Sequence, residues 1–292
     1  MILDNKTIVI TGAGRGIGRS VAVACAAEGA NLGLTARSID ELNETRDLAL
    51  QKAPNAKIIV KTADVTKFDE LEAAFKAFQD DLGLINGVIA NAGIALKSAS
   101  HECEPEQFLQ VLDVNVAGVF NTFKAAYDKL AKDDKKRKAR FMITGSGAYP
   151  NGMGKFAAYT ASKWAVVGLQ KALALEYSGE HIAFTTLLPN MVDTKLLRGR
   201  KAGDGNKPPT VMDPDELDPY YVFVMSDTSN KINDMTIDVN DFQQIRKLIA
   251  ETPADKKASW DEFKPHLEEQ LPFVYKNLKK LKALAEFLLT WP

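Results

Sequence analysis

Cysteine is scarce in this 292-residue chain, with only Cys25 and Cys103 present. Two thiols cannot make a disulfide framework. Cys25 also sits in the apolar stretch SVAVACAAEGA, where a plain buried thiol is expected, so a reducing compartment fits best. One-signed charge is missing as well: 37 Lys and Arg face 38 Asp and Glu, for a formal net charge of -1. That balance leaves no field to hold a nucleic acid or an anionic membrane. No apolar run reaches the roughly 18 residues needed to span a bilayer, so no integral membrane segment is expected. The opening MILDNKTIVITG carries an acid at Asp4 and enters strand-like sequence at once, unlike a signal peptide, and a cytoplasmic protein is expected. A hydrophobic content of 46% is enough for a substantial core, and small-molecule chemistry becomes the default.

Up to about residue 240, short β-branched runs alternate with helical patterns. The runs are TIVIT, NLGLTA, KIIVKTA, NGVIANA, ARFMITG, IAFTTLL and MTIDV. Between them lie amphipathic or Ala-rich segments such as Arg19 to Glu28 and Leu71 to Phe78, long enough to serve as crossover helices. The rhythm predicts an α/β fold, a doubly wound, parallel, seven-stranded sheet of Rossmann-like form, over residues 1–240. Residues 241–292 read as a C-terminal helical extension. Phe242, Ile245, Leu248 and Ile249 form one apolar stripe, and Leu278, Leu281, Ala285 and Leu288 form another. These stripes must cover the parent core, a second subunit or a membrane surface. KDDKKRK at Lys132 to Lys138 reads as a solvated connector. The Gly-, Pro- and Lys-rich stretch from Arg198 to Asp213 reads as a mobile loop, either a plain connection or a lid. Its Arg198, Arg200, Lys201 and Lys207 hint at an acidic substrate.

TIVITGAGRGIGRS places Gly12, Gly14, Gly16 and Gly18 directly between a strand and a helix. A pyrophosphate needs a sharp backbone turn, close approach and the positive end of a helix, all of which side chains would obstruct. A ribose-reading acid is expected about 20 residues further on. NLGLTARS instead offers Ala36 and Arg37, with no acid before Asp40. A guanidinium suits the 2′-phosphate of NADP, and Arg15 could add a second contact, so NADP is favoured over NAD. No metal site is expected.

Tyr159 and Lys163 stand four apart in GKFAAYTASKWAVVGL, on one face of a predicted helix. A phenol is a poor acid/base at neutral pH. A charge about 4 Å away at an effective dielectric near 20 is worth about 4 kcal/mol, or roughly three pKa units of depression. Ser146 follows the fifth strand, at the edge where ligands bind in such sheets, and could hold a carbonyl oxygen. Asn115 falls mid-helix in VLDVNVAGVF, where a short amide needs a task or a partner. It could support a water-mediated proton path.

Together these motifs resemble the short-chain dehydrogenase/reductase family over about the first 240 residues. TGAGRGIG matches its glycine motif, ANAG at Ala90 to Gly93 resembles its N-N-A-G, and Asn115, Ser146, Tyr159 and Lys163 match its catalytic tetrad. LPNMVDT resembles its P-G-x-V-x-T segment, and ADVT suggests Asp64 at the adenine ring. The resemblance implies that Gly12, Arg15, Gly16, Ile17, Gly18, Arg37, Asp64, Val65, Asn91, Gly93, Val192 and Thr194 line the cofactor, with Tyr159 and Lys163. It implies proton transfer by Tyr159, a lowered Tyr159 pKa and ribose binding from Lys163, carbonyl orientation by Ser146 and a water relay at Asn115. It implies a carbonyl or alcohol substrate and a homodimer or homotetramer. The chain departs from the pattern at Ala90, at Asn190 and in TIDVND, which lacks the usual glycine pair. A nucleotide-binding regulatory or scaffolding protein, acting through its helical tail, is the competing expectation.

Overall fold

The computed structural model describes residues 1–131, 139–230, 232–253, 257, 259–271 and 282–290. They divide into two compact units, Met1–Ile237 and Asp238–Pro292. In the first, strands β1 (Thr7–Thr11), β2 (Asn31–Ala36), β3 (Ile58–Thr62), β4 (Gly87–Ala90), β5 (Ala139–Thr144), β6 (Ile182–Leu188) and β7 (Met235–Asp238) form one seven-stranded sheet. Its order is β3-β2-β1-β4-β5-β6-β7, with parallel pairings from β3 across to β6. The expected doubly wound sheet is thus present. Every residue of β1, β4, β5 and β6 is buried, which is why these strands read as unbroken apolar runs: a parallel sheet is covered on both faces.

One face is covered by α3 (Phe68–Leu82), α5 (Gly118–Ala126) and α7 (Ala157–Glu176), whose Phe75, Phe78, Phe123, Val166 and Leu173 join the sheet's Val9, Phe141 and Phe184 in one core cluster. The Phe123 and Phe141 rings meet edge to face at 5.4 Å, an orientation worth about 0.5–1.5 kcal/mol beyond burial. Helices α1 (Gly16–Ala27), α2 (Ile39–Lys52) and α9 (Asp218–Met225) pack together. Ser38 caps α2 by accepting the Glu41 N–H at 3.3 Å, with Asp40 and Glu41 in its first turn favouring the dipole.

The strand order reverses direction between β1 and β4, and the carboxyl ends there form the crevice where such sheets take ligands. Three shorter helices complete the first unit: α4 (Pro105–Leu112), α6 (Ala148–Asn151) and α8 (Lys195–Arg198). Between α4 and α5 the helix widens into a π turn, Asp113–Ala117, with Asn115 buried in it. Sequence periodicity alone reads the same stretch as plain helix.

The second unit contains α10 (Val239–Glu251), capped by Asp238 accepting from the Asn240 N–H at 2.9 Å, then α11 (Trp260–Gln270) and α12 (Lys282–Thr290). In it α10 packs on α12, and Phe242, Ile245, Ala285 and Leu288 are buried. Leu278, Leu281 and the charged run Lys132 to Lys138 lie outside the described residues. Among the described residues, no helix is long and apolar enough to cross a membrane.

Candidate active site

The glycine turn joins β1 to α1 through contacts that exclude side chains. Gly12 has φ +66, and a Cβ there would lie 2.8 Å from the Ala92 Cα. A Cβ on Gly18 would collide with the Gly12 carbonyl oxygen. The end of β4 is tied to the same turn. Asn91 Nδ2 donates to the carbonyls of Thr11 and Gly12, both at 3.2 Å, while Thr11 Oγ1 accepts the N–H groups of Asn91 and Ala92. Arg15 occupies the N-cap of α1 without a side-chain cap bond, and the first turn, which holds the half-buried Ile17, carries no acid. Its N–H groups and dipole therefore remain available for an anion. These features fit a dinucleotide's pyrophosphate.

Of the other expected cofactor positions, Thr194 lies against that turn. Thr194 Cγ2 lies 3.0 Å from where a Cβ on Gly16 would be, so the segment after β6 borders the glycine turn. Thr194 Oγ1 donates to the Val192 carbonyl at 3.3 Å. Asp64 Oδ1 accepts from the Thr66 N–H and hydroxyl, both at 2.9 Å. Burial pushes the Asp64 carboxyl up, but these bonds and the charges of Arg37 and Lys67 outweigh it and hold the group below its ordinary range. Val65 is buried beside Gly118, and its carbonyl accepts from Asn121 at 3.0 Å. Arg37 is exposed at the end of β2.

The four expected catalytic side chains form one connected group. Ser146 stands close enough to Tyr159 to favour its phenolate and so to oppose the effect of burial. Ser146 follows β5, and its Oγ accepts the Ala148 N–H at 3.1 Å. Lys163, buried, lies 5.4 Å from the Tyr159 ring centre, and its Nζ donates to the Thr144 carbonyl at 2.9 Å. Asn115 Nδ2 donates to Ser162 Oγ at 2.9 Å, and Ser162 donates in turn to the Tyr159 carbonyl at 2.6 Å. The Asn115 amide also brackets Ile94, accepting from its N–H at 2.8 Å and donating to its carbonyl at 2.9 Å. Gly93 lies beside both, with a would-be Cβ 3.3 Å from Asn115 Oδ1 and 3.8 Å from Lys163 Nζ.

Two expectations need correction. The Tyr159 phenol is not depressed: burial raises it, and the Ser146 hydrogen bond offsets only part of the rise. The Lys163 ammonium faces a carbonyl and the ring, and desolvation lowers its own pKa to about 8. The stretch Arg198 to Asp213 is a loop as expected, with a little local structure, and its basic residues call for the second correction. A 3-10 turn at Gly199–Lys201 follows α8, and a bridge pairs Val192 with Met212. Arg198 reaches Asp193 at 3.0 Å and Asp204 at 2.8 Å, and Lys207 reaches Asp213 at 2.7 Å. Arg198 and Lys207, two of the four basic residues, are thus already matched by acids, which halves the argument for an acidic substrate.

Sequence reasoning missed Thr144, Ser162 and Tyr221. The Tyr221 and Thr144 hydroxyls meet at 2.8 Å directly behind the carbonyl that holds Lys163. Ser162 carried a faint signal: a hydroxyl within an apolar helix needs a buried partner. Asn190, the departure from the family's glycine, has its Oδ1 2.9 Å from where a Cβ on Gly147 would be, next to Ser146.

A glycine turn and a Ser-Tyr-Lys group at the carboxyl edge of one parallel sheet define a dinucleotide-dependent oxidoreductase. The chain belongs to the short-chain dehydrogenase family, whose model matches residues 6–205. It is 32% identical to (-)-trans-carveol dehydrogenase of Rhodococcus erythropolis, over 67% of this chain and 74% of that one. Its fold matches 3-ketoacyl-(acyl-carrier-protein) reductase of Brucella melitensis, solved with NADH, at TM-score 0.73 and 27% identity, covering 81% and 97% of the two chains. It also matches an alcohol dehydrogenase of Thermococcus sibiricus, solved with 5-hydroxy-NADP, at TM-score 0.71 and 29% identity, covering 80% and 95%. Both nucleotide types are thus represented among its structural neighbours.

Proposed function

We propose that this protein is an NADP(H)-dependent reductase of a ketone, aldehyde or 3-oxoacyl compound, with Tyr159 as the proton donor and Asn115, Ser146 and Lys163 completing the catalytic group. The observation that carries the reading is that the Lys163 ammonium sits on the Thr144 carbonyl at the end of β5, 5.4 Å from the Tyr159 ring, whose phenol is influenced by Ser146. When bound, the nicotinamide supplies or takes up the hydride. The chain's residues handle the proton and the alignment. On substrate binding, Ser146 Oγ and Tyr159 Oη each turn their single hydroxyl hydrogen to the carbonyl oxygen, and the phenol passes its proton as the alkoxide forms. Lys163 Nζ has three hydrogens, and Thr144 takes one, which leaves two for the nicotinamide ribose and for a water leading outward. With a pKa near 8, that ammonium can exchange a proton close to neutrality. Asn115 fixes Ile94 and, through Ser162, the backbone of Tyr159, which holds the start of α7 against the loop after β4.

NADP is favoured because Arg37 and Arg15 lie where a 2′-phosphate is expected and Ala36 offers no ribose-binding acid. The first unit carries the cofactor and catalytic positions, and the helical unit is an accessory to it. Self-association into a dimer or tetramer is supported by the exposed Leu109 and Phe120, which flank an apolar hollow with Val116 and Leu169. A cytoplasmic setting agrees with the two free cysteines.

NADPH oxidation against a panel of ketones, aldehydes and 3-oxoacyl thioesters, with Tyr159→Phe as control, tests the assignment. Turnover with at least one substrate class, lost in the variant by about 100-fold or more, is expected. Turnover untouched by the substitution contradicts the site, and nucleotide binding without turnover across the panel favours the scaffolding alternative.

A further inference from the structure

Outside the catalytic group, one carboxylate lies over the phosphate turn. Glu41, in the first turn of α2, accepts through Oε1 from Arg15 at 3.1 Å and from Lys195 at 3.4 Å. Its Cβ lies 2.9 Å, and its Oε2 3.3 Å, from the point a Cβ on Gly14 would occupy. Gly14 is therefore the glycine whose missing side chain admits this acid. Lys195 belongs to the same place, since it follows Thr194, which packs against Gly16. The next acid along the helix, Glu44, is held elsewhere by Arg19 at 2.7 Å. One carboxylate thus engages two cations, one from the glycine turn and one from the segment after β6.

We propose that Glu41 sets how strongly the protein prefers NADP(H) over NAD(H), by competing with the 2′-phosphate for Arg15 and Lys195. The inference rests on the NADP reading above, which places that phosphate at Arg15 and Arg37. A phosphate monoester carries about -1.5 to -2 charges at pH 7, whereas a ribose hydroxyl carries none. The Glu41 charge acts on the pyrophosphate of both nucleotides alike, and on the 2′-phosphate of NADP(H) alone. When the phosphate arrives, Arg15 and Lys195 must turn from Glu41 to it, and the carboxylate is left close to a second anion. Arg15 and Lys195 have side chains 53% and 59% exposed, so both can swing without disturbing the core. Lys195 becomes a specificity residue that composition and spacing did not suggest, reaching toward Arg15 from the start of α8, after β6.

The test is dissociation constants for NADPH and NADH, measured by fluorescence titration on the full chain, for the wild type, Glu41→Gln and Lys195→Gln. Glu41→Gln is expected to tighten NADPH roughly tenfold while changing NADH by less than about twofold, the size of one partly screened charge contact. Lys195→Gln is expected to weaken NADPH by about fivefold and leave NADH alone, with both effects shrinking as salt rises. Substitutions that weaken both nucleotides alike, or leave their ratio unchanged, would overturn the proposal by reducing Glu41 to a structural tie between loops. A wild-type chain that binds NADH more tightly than NADPH would instead defeat the NADP reading. Even then, a rise in the NADPH-to-NADH affinity ratio on Glu41→Gln supports the competition and its absence refutes it.

Discussion

Lys163 gives a hydrogen to the backbone carbonyl of Thr144 at 2.9 Å, at the last residue of β5. The end of β5 therefore fixes the ammonium two residues ahead of Ser146, and the Tyr221 hydroxyl meets that of Thr144 at 2.8 Å. The cation is placed by the sheet. Its burial has a thermodynamic signature.

Desolvation takes the Lys163 pKa from 10.5 to about 8. The unfolded chain thus binds this proton more tightly than the folded one between pH 8 and 10.5. Stability from this group is depressed below pH 8 and recovers as pH rises through that window. At 1.36 kcal/mol per unit the full swing is about 3 kcal/mol. Urea unfolding of the wild type and Lys163→Met across pH 7 to 10.5 should show the difference moving in favour of the wild type. A flat difference would mean the ammonium is solvated in the folded chain.

Asp218 has the opposite sign. It opens α9, accepts from Ser20 through Oδ2 at 3.0 Å and has no partner for the buried Oδ1. Burial, aided by Asp215 and opposed by the Ser20 bond, raises it from 3.8 to about 7. The folded chain holds this proton between those values, so stability falls as pH rises from about 4 to 7 and stays lower above. Asp218→Asn keeps an acceptor for Ser20 and loses the buried charge. It should stabilise the protein by about 2–4 kcal/mol at pH 8, less whatever the α9 dipole returned, with the gain vanishing near pH 4. Melting temperatures at the two pH values decide it.

Asn115→Ala strips both backbone groups of Ile94 and the Ser162 hydroxyl of their shared partner. Leaving buried polar groups unpaired costs about 1–3 kcal/mol each, and partial relaxation should bring the total to about 2–4 kcal/mol. Because the amide also steadies the Tyr159 backbone through Ser162, kcat should fall more steeply than KM rises. Denaturant midpoints read the first effect and steady-state kinetics the second. A normal kcat in a destabilised protein would confine Asn115 to architecture.

The strands were legible because a parallel sheet buries both faces, and β-branched runs such as TIVIT and IAFTTLL carry that demand in their composition. The glycine turn was legible for a similar reason: Gly12 and Gly18 answer a local steric need that no other residue meets. Relations set by distant neighbours stayed hidden. The π turn around Asn115 follows from the amide's reach to Ile94, 21 residues earlier, and no periodicity encodes it. Arg198 reads as a basic loop residue until Asp193 and Asp204 fold around it. The direction of the Tyr159 shift was misjudged because spacing supplied the ammonium but not the burial of both groups.

Gly18 and Gly168 make a paired test of that steric reading. A Cβ on Gly18 would strike the Gly12 carbonyl oxygen and lie 2.6 Å from Asn91 Nδ2, so it would push the turn away from α1 and break the tie to β4. Gly168 lies inside α7 with nothing within 4 Å of its would-be Cβ. Alanine there should only stiffen the unfolded chain and fill a helical position, raising stability by about 0.5–1 kcal/mol. Gly18→Ala should instead lose at least about tenfold in nucleotide affinity, and some stability, because backbone must shift in a turn that approaches the pyrophosphate closely. Nucleotide titration and thermal unfolding of both variants separate the two roles. If Gly18→Ala binds nucleotide normally, the turn has slack that these contacts deny, and the cradle lies elsewhere.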